Sequence, residues 1–242
     1  MTAGTLYGIG MGPGDPELLT LRAARLLGAI RTVAYFAKRG RPGHARRIAG
    51  DLIGPDIEEL RFEYPFTTER MVDDPTYQRE MTAFYDSSAR DIAAQLEAGR
   101  DVAVLCEGDP FFYGSFMYLF DRLMERYPSE IVPGVTGMSA CWTSARTPMA
   151  HGDDVLAVLP GTLDSECMVE RLSACDAAVI MKVGRNLPKI REALARAGLA
   201  ERAIYVERGA MEGQRVVPLT EFADEAAPYF SIVLVPGRRR RR

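Results

Sequence analysis

Apolar positions along the chain fall into short continuous runs separated by amphipathic stretches, the alternation that strands and helices produce in turn. Residues 5–10 (TLYGIG), 32–36 (TVAYF), 59–62 and 101–106 (DVAVLC) read as strands. Helices are predicted from Asp15 and Pro16 to Gly28, around 45–53, over 88–98 and, rich in aromatics, over 113–127. Asp15 suits an N-cap, Pro16 a first helical turn, and Gly28 and Gly99 suit helix ends. The run at 101–106 lacks polar alternation, as in a parallel strand buried on both faces. Beyond Pro128, strands are predicted at 131–132, 155–159, 177–181 and 203–206, with helices over 138–146 and 188–197. Residues 216–217 and 231–235 read as a closing antiparallel pair. Two rounds of alternation predict an α/β protein of two α/β domains with mainly parallel sheets. The expected extents are 1–129 and 130–237, with a basic tail at 238–242.

Composition narrows the function classes. The chain has 242 residues, 47% hydrophobic and 26% charged, the profile of an ordinary globular protein. Its net charge is −3, but five of its 30 basic residues are the terminal arginines. Without them 25 basic face 33 acidic residues, a balance of −8, which suits no general nucleic-acid binder. Residues 1–10 lack the pattern of a signal peptide, and the apolar runs fall far short of the ~20 residues that cross a bilayer. Cys106, Cys141, Cys167 and Cys175 form no CxxC pair, and His44 and His151 are the only histidines. Neither a metal site nor a disulfide framework is expected, and a cytoplasmic setting fits.

Candidate chemistry sits in two glycine loops after strands. Gly8-Ile-Gly10-Met-Gly12-Pro-Gly14-Asp15 fails the dinucleotide fingerprint, because its third glycine position holds Pro13 or Asp15. Lys38 and Arg39 also stand where a ribose-binding acid belongs. The second loop, Glu107 to Gly114 (EGDPFFYG), follows the buried strand, where open parallel sheets bind ligands. Both loops are acidic and carry no lysine or arginine, which suits a cationic ligand without phosphates. S-adenosylmethionine fits that description.

GMGPGDPELLTL (10–21), EGDPFFYG (107–114) and PGVTGMSA (133–140), in this order, resemble the tetrapyrrole methylases, the class III S-adenosylmethionine-dependent methyltransferases. VAYFAKRG (33–40), EYPFTTE (63–69) and LPGTLD (159–164) are similar to the branch that methylates precorrin-2 at C-20 in cobalamin biosynthesis. The resemblance implies a homodimer with cofactor and substrate in a cleft between two domains. It implies cofactor contacts from Pro13, Glu107, Gly108, Asp109, Phe112, Tyr113, Thr136, Gly137, Met181, Gly209 and Ala210. No catalytic base is identified; Glu107, Tyr85 and Tyr113 are candidates. Phe36 stands where uroporphyrinogen methylases carry an aspartate, so their proposed base does not transfer. The resemblance implies a polycarboxylate substrate, for which Lys38, Arg39, Arg41, Arg46 and Arg47 are the expected cations, since arginine grips carboxylates bidentately. Trp142 is expected in the core or at a dimer interface. Alternatives remain: a cobalt-loaded substrate, an NADP-dependent reductase using Lys38 and Arg39, and a binding module that has kept the fold.

Overall fold

The computed structural model describes residues 2–66 and 74–237. The arginine tail and residues 67–69 of EYPFTTE lie outside the described residues. The chain divides into two compact units, Met1–Thr136 and Gly137–Arg242.

The first unit carries β1 (Leu6–Gly10), α1 (Leu21–Leu27), β2 (Thr32–Lys38), α2 (His44–Ala49), β3 (Glu58–Tyr64), α3 (Pro75–Glu97), β4 (Val102–Cys106), α4 (Phe116–Leu123) and β5 (Ser129–Val132). Its strands form one parallel sheet in the order β3-β2-β4-β1-β5. All of β4 is buried, and its side chains alternate between two cores. Val102, Val104 and Cys106 meet Ile92 and Leu96 of α3, while Ala103 and Leu105 meet Leu27 and Ile48. That two-sided burial explains the continuous apolar run. Gly10 pairs with Cys106, and Ile9 with Val132, so the loops after β1, β4 and β5 leave the sheet level with one another.

Two helices differ from the sequence reading. Asp15 caps a separate 3-10 turn, Pro16–Leu18, by accepting from the Glu17 N–H. Helix α1 starts later, where the Thr20 hydroxyl accepts from Ala23 N–H at 3.1 Å. Helix α3 starts well before residue 88, because Asp74 caps it and Pro75 opens it.

The second unit carries α5 (Gly137–Ser144), β6 (Leu156–Pro160), α6 (Ser165–Ser173), β7 (Ala177–Met181), α7 (Leu187–Arg196), β8 (Ile204–Glu207), β9 (Arg215–Pro218) and β10 (Ser231–Val235). The sheet order is β6-β7-β10-β8-β9. Only β6 and β7 pair in parallel; the other three pairs are antiparallel. The predominantly parallel pattern therefore belongs to the first sheet. Residues 216–217 and 231–235 do not pair with each other: β9 and β10 flank β8 on opposite sides. A short link makes β8 and β9 a hairpin, which cannot be parallel without a crossover. Helix α6, which periodicity did not bring out, is capped by Asp164 accepting from Cys167 N–H at 2.8 Å. It buries Met168 and Leu172 against Ile180, Ile190 and Val233, at roughly 1.5–3 kcal/mol per side chain. The opposite face packs Val179, Val206 and Leu234 on Cys141, with Trp142 half-buried beside them.

Candidate functional site

Three backbone loops meet at the carboxyl edge of the first sheet. Met11 N–H donates to the Cys106 carbonyl at 2.8 Å, and Gly12 and Gly108 exchange backbone hydrogen bonds at 3.3 and 2.8 Å. Both of those glycines have left-handed backbones, φ 69° and 66°. Gly10 and Gly134 face each other with no room for a side chain. A Cβ on Gly134 would stand 2.1 Å from the Gly108 carbonyl oxygen, and one on Gly10 would stand 2.5 Å from Gly134 N. The glycines are needed for close approach, which the spacing of a dinucleotide fingerprint does not describe. Pro13 is half-buried in the first of these loops and Thr136 in the third.

Asp109 fastens the second loop to the third. One carboxylate oxygen accepts from Phe111 N–H at 2.9 Å, the other from Gly134 N–H at 3.1 Å. The side chain is a strut between loops. Glu107 keeps an accessible side chain, yet the protein crowded around it pushes its carboxyl up to about 7, with the Arg47 guanidinium pulling the other way. Phe112 is half-buried, and Tyr113 is exposed with φ 56°.

An aromatic cluster adjoins the end of this loop. Ser115 Oγ lies 2.6 Å from the Tyr64 hydroxyl and 3.0 Å from the Tyr85 hydroxyl. Tyr85 is buried and stacks on Tyr118 at 4.6 Å. As a candidate base it is thus already hydrogen-bonded to Ser115. Phe36 stacks on Tyr64 at 5.3 Å. Ser115 carried no signal in the sequence, and nothing in the EYPFTTE stretch singled out the Tyr64 hydroxyl, because the cluster joins residues 51 and 30 positions apart.

The basic stretch splits. Lys38, Arg39, Arg41 and Arg47 are exposed. Arg46 is half-buried and paired: its Nε donates to Glu59 at 2.9 Å, and the same carboxylate accepts from the Tyr35 hydroxyl. A guanidinium so paired is part of the wall between α2 and β3. Arg47 contacts His44 Nδ1, and burial together with that cation holds the His44 pKa below its ordinary value.

In the second unit, β6, β7 and β8 run in the same direction, so their carboxyl ends share one edge. Met181 ends β7, and Gly161 N–H donates to its carbonyl at 2.6 Å. Lys182, Arg208 and Ala210, all at this edge, have φ of 54°, 52° and 57°. Such backbones persist only where the surroundings over-determine them, and they gather at functional turns. Ala210 N–H donates to Gln214 Oε1 at 3.0 Å and to Ser144 Oγ at 3.3 Å. Gly209 presses on α5, since a Cβ there would stand 2.8 Å from Cys141 Sγ. Gly137, the first residue of α5, has open space around it. Among the described residues no helix is long and apolar enough to cross a membrane.

Known proteins are similar to this chain in sequence and fold. The profile of the tetrapyrrole (corrin/porphyrin) methylases matches residues 5–223. A precorrin-2 C(20)-methyltransferase from Sinorhizobium sp is 55% identical, over 97% of this chain and 96% of its own length. A cobalt-precorrin-2 C(20)-methyltransferase from Salmonella typhimurium is 32% identical, over 96% of each. Among solved structures, a uroporphyrin-III C-methyl transferase from Thermus thermophilus, complexed with S-adenosyl homocysteine, superimposes with a TM-score of 0.67. It is 25% identical over 96% of both chains.

Proposed function

The chain belongs to the tetrapyrrole (corrin/porphyrin) methylases, and from that membership we propose that it methylates precorrin-2 at C-20, giving precorrin-3A in cobalamin biosynthesis. The observation that carries this reading is the 55% identity, across nearly the full length of both chains, to a precorrin-2 C(20)-methyltransferase. Family membership also separates the chain from NADP-dependent reductases.

The first unit's loops fit S-adenosylmethionine. Gly10 and Gly134 let the three loops pack backbone to backbone, since a Cβ on either would strike the neighbouring loop. The acids Glu107 and Asp109 stand in the second loop without a cation beside them in it, which favours a positive ligand over a phosphate. The cofactor supplies a methyl group on a cationic sulfonium. We assign contacts with it to Pro13, Glu107, Gly108, Phe112, Tyr113 and Thr136. Asp109 acts by joining the loops, and family membership adds Gly137, Met181, Gly209 and Ala210 to the assigned cofactor contacts.

In the reaction a carbon–carbon bond forms at C-20, the carbon–sulfur bond breaks, and C-20 loses a proton. The rigid loops contribute by holding the reacting atoms in line, the largest effect open to a site whose substrate carbon is already electron-rich. Of the candidate proton acceptors, Glu107 is the one with a carboxyl near neutrality, where an acid–base group works best. Lys38, Arg39, Arg41 and Arg47 are assigned to the substrate carboxylates. A homodimer in the cytoplasm belongs to the same reading, and light scattering giving a monomeric mass would remove the dimer from it.

The 32% identity to a cobalt-precorrin-2 enzyme defines the second reading, a cobalt-loaded substrate. Parallel incubations with metal-free and cobalt-loaded substrate decide between them. Turnover of the metal-free form is expected; turnover confined to the cobalt form would replace the first reading by the second.

A further inference from the structure

Ser115 is the N-cap residue of α4, with φ −66° and ψ −17°, yet its side chain makes no capping hydrogen bond. A serine there ordinarily accepts from a backbone N–H of the first turn. Its hydroxyl is turned instead to Tyr64, at the end of β3, and Tyr85, midway along α3. One oxygen thereby ties three elements together. The surroundings are aromatic: Phe84 lies 5.4 Å from the Tyr64 ring, and Phe36 and Tyr118 stack on Tyr64 and Tyr85. Hydroxyls in such a setting are costly to leave unpaired, so the three behave as a unit.

The far end of the same loop is held by Asp109, through Phe111 and Gly134. Between the two fastenings Tyr113 takes φ 56°. A side-chain-bearing residue keeps that backbone only where its neighbours enforce it. Asp109 enforces it from one side, and the hydroxyl cluster is placed to do so from the other.

We propose that the Tyr64–Ser115–Tyr85 hydroxyl cluster positions residues 110–115 for methyl transfer, with Ser115 as its pivot. The consequence for turnover rests on the function proposed above; the consequence for the loop does not. The hydroxyls act through the backbone of Phe112 and Tyr113, so they are positioning groups.

Hydrogen–deuterium exchange and steady-state kinetics on Ser115→Ala test this together. Exchange at residues 111–117 is expected to rise about tenfold or more, with the rest of the first unit unchanged. With precorrin-2, kcat is expected to fall about ten- to hundredfold with little change in KM. Ser115→Thr, which restores the hydroxyl, should recover both. Tyr64→Phe and Tyr85→Phe keep the rings and remove one hydroxyl each; they give intermediate effects and serve if Ser115→Ala does not fold. Unchanged exchange in all of these, or exchange rising evenly across the whole unit, would overturn the proposal. So would a fall in kcat with exchange unchanged. If the wild-type chain does not methylate precorrin-2, the functional reading fails while the exchange result still decides the inference.

Discussion

Asp109 spends its carboxylate on two backbone N–H groups, one in its own loop and one in the next. Removing it leaves both donors without this acceptor; the Phe111 N–H is exposed and the Gly134 N–H half-buried, so water offsets much of the loss and the cost is about 1 kcal/mol. Asp109→Ala should therefore lower stability in chemical denaturation by that order and weaken S-adenosylhomocysteine binding; full stability with weaker binding would instead make Asp109 a direct ligand. Gly134→Ala places a methyl where only 2.1 Å separates it from the Gly108 carbonyl. The loops must part, and calorimetry should show S-adenosylhomocysteine binding weakened by about tenfold or more, from roughly 1–3 kcal/mol of overpacking. Glu107 gives a pH signature. Its folded pKa, about 7, lies above the unfolded value of about 4.3. The folded state thus holds the extra proton between those values, so this group's contribution to stability declines as pH rises from about 4 to 7. Bound cation favours the carboxylate, so affinity for S-adenosylmethionine relative to the uncharged-sulfur product should rise through neutrality, and Glu107→Gln should flatten the rise. A flat wild-type profile would place Glu107 away from the sulfonium.

At the scale of elements, continuous apolar strands were the most legible. β7 and β10 occupy the residues their hydrophobic runs predict, 177–181 and 231–235, because strands buried on both faces have no polar interruptions. What periodicity could not supply was pairing. β10 lies between β7 and β8, a choice made by the whole sheet. Helix starts were less legible, since two capping residues stand within a few positions of each other. Asp15 closes a 3-10 turn and Thr20 starts α1. Thr20→Ala should cost about 1 kcal/mol of cap energy, read as a lowered Tm; an unchanged Tm would mean that packing alone sets the start of α1. The site divided in the same way. Loops that are contiguous in sequence could be read as ligand loops from their glycines and acids. The pairing of Arg46 with Glu59 and the hydroxyl cluster on Ser115 needed the register of β3 against β2 and the length of α3, neither of which a local pattern contains.

For the molecule as a whole, two sheets of different pairing each gather strained or glycine-built turns at one edge. The body's charge of −8 without the arginine tail gives a polycarboxylate no long-range attraction, so recognition must come from local cations. Lys38, Arg39, Arg41 and Arg47 are exposed and are assigned that role. Substituting Arg39 and Arg41 together by alanine should raise KM for the tetrapyrrole with S-adenosylhomocysteine affinity unchanged; the reverse pattern would move them to the cofactor. The most direct test of the central claim is to incubate the protein with precorrin-2 and S-adenosylmethionine bearing an isotope-labelled methyl, and to locate the label in the product by NMR. One labelled methyl on C-20, with matching release of S-adenosylhomocysteine, is the predicted result. Label on another carbon, or none transferred while the cofactor binds, would contradict it.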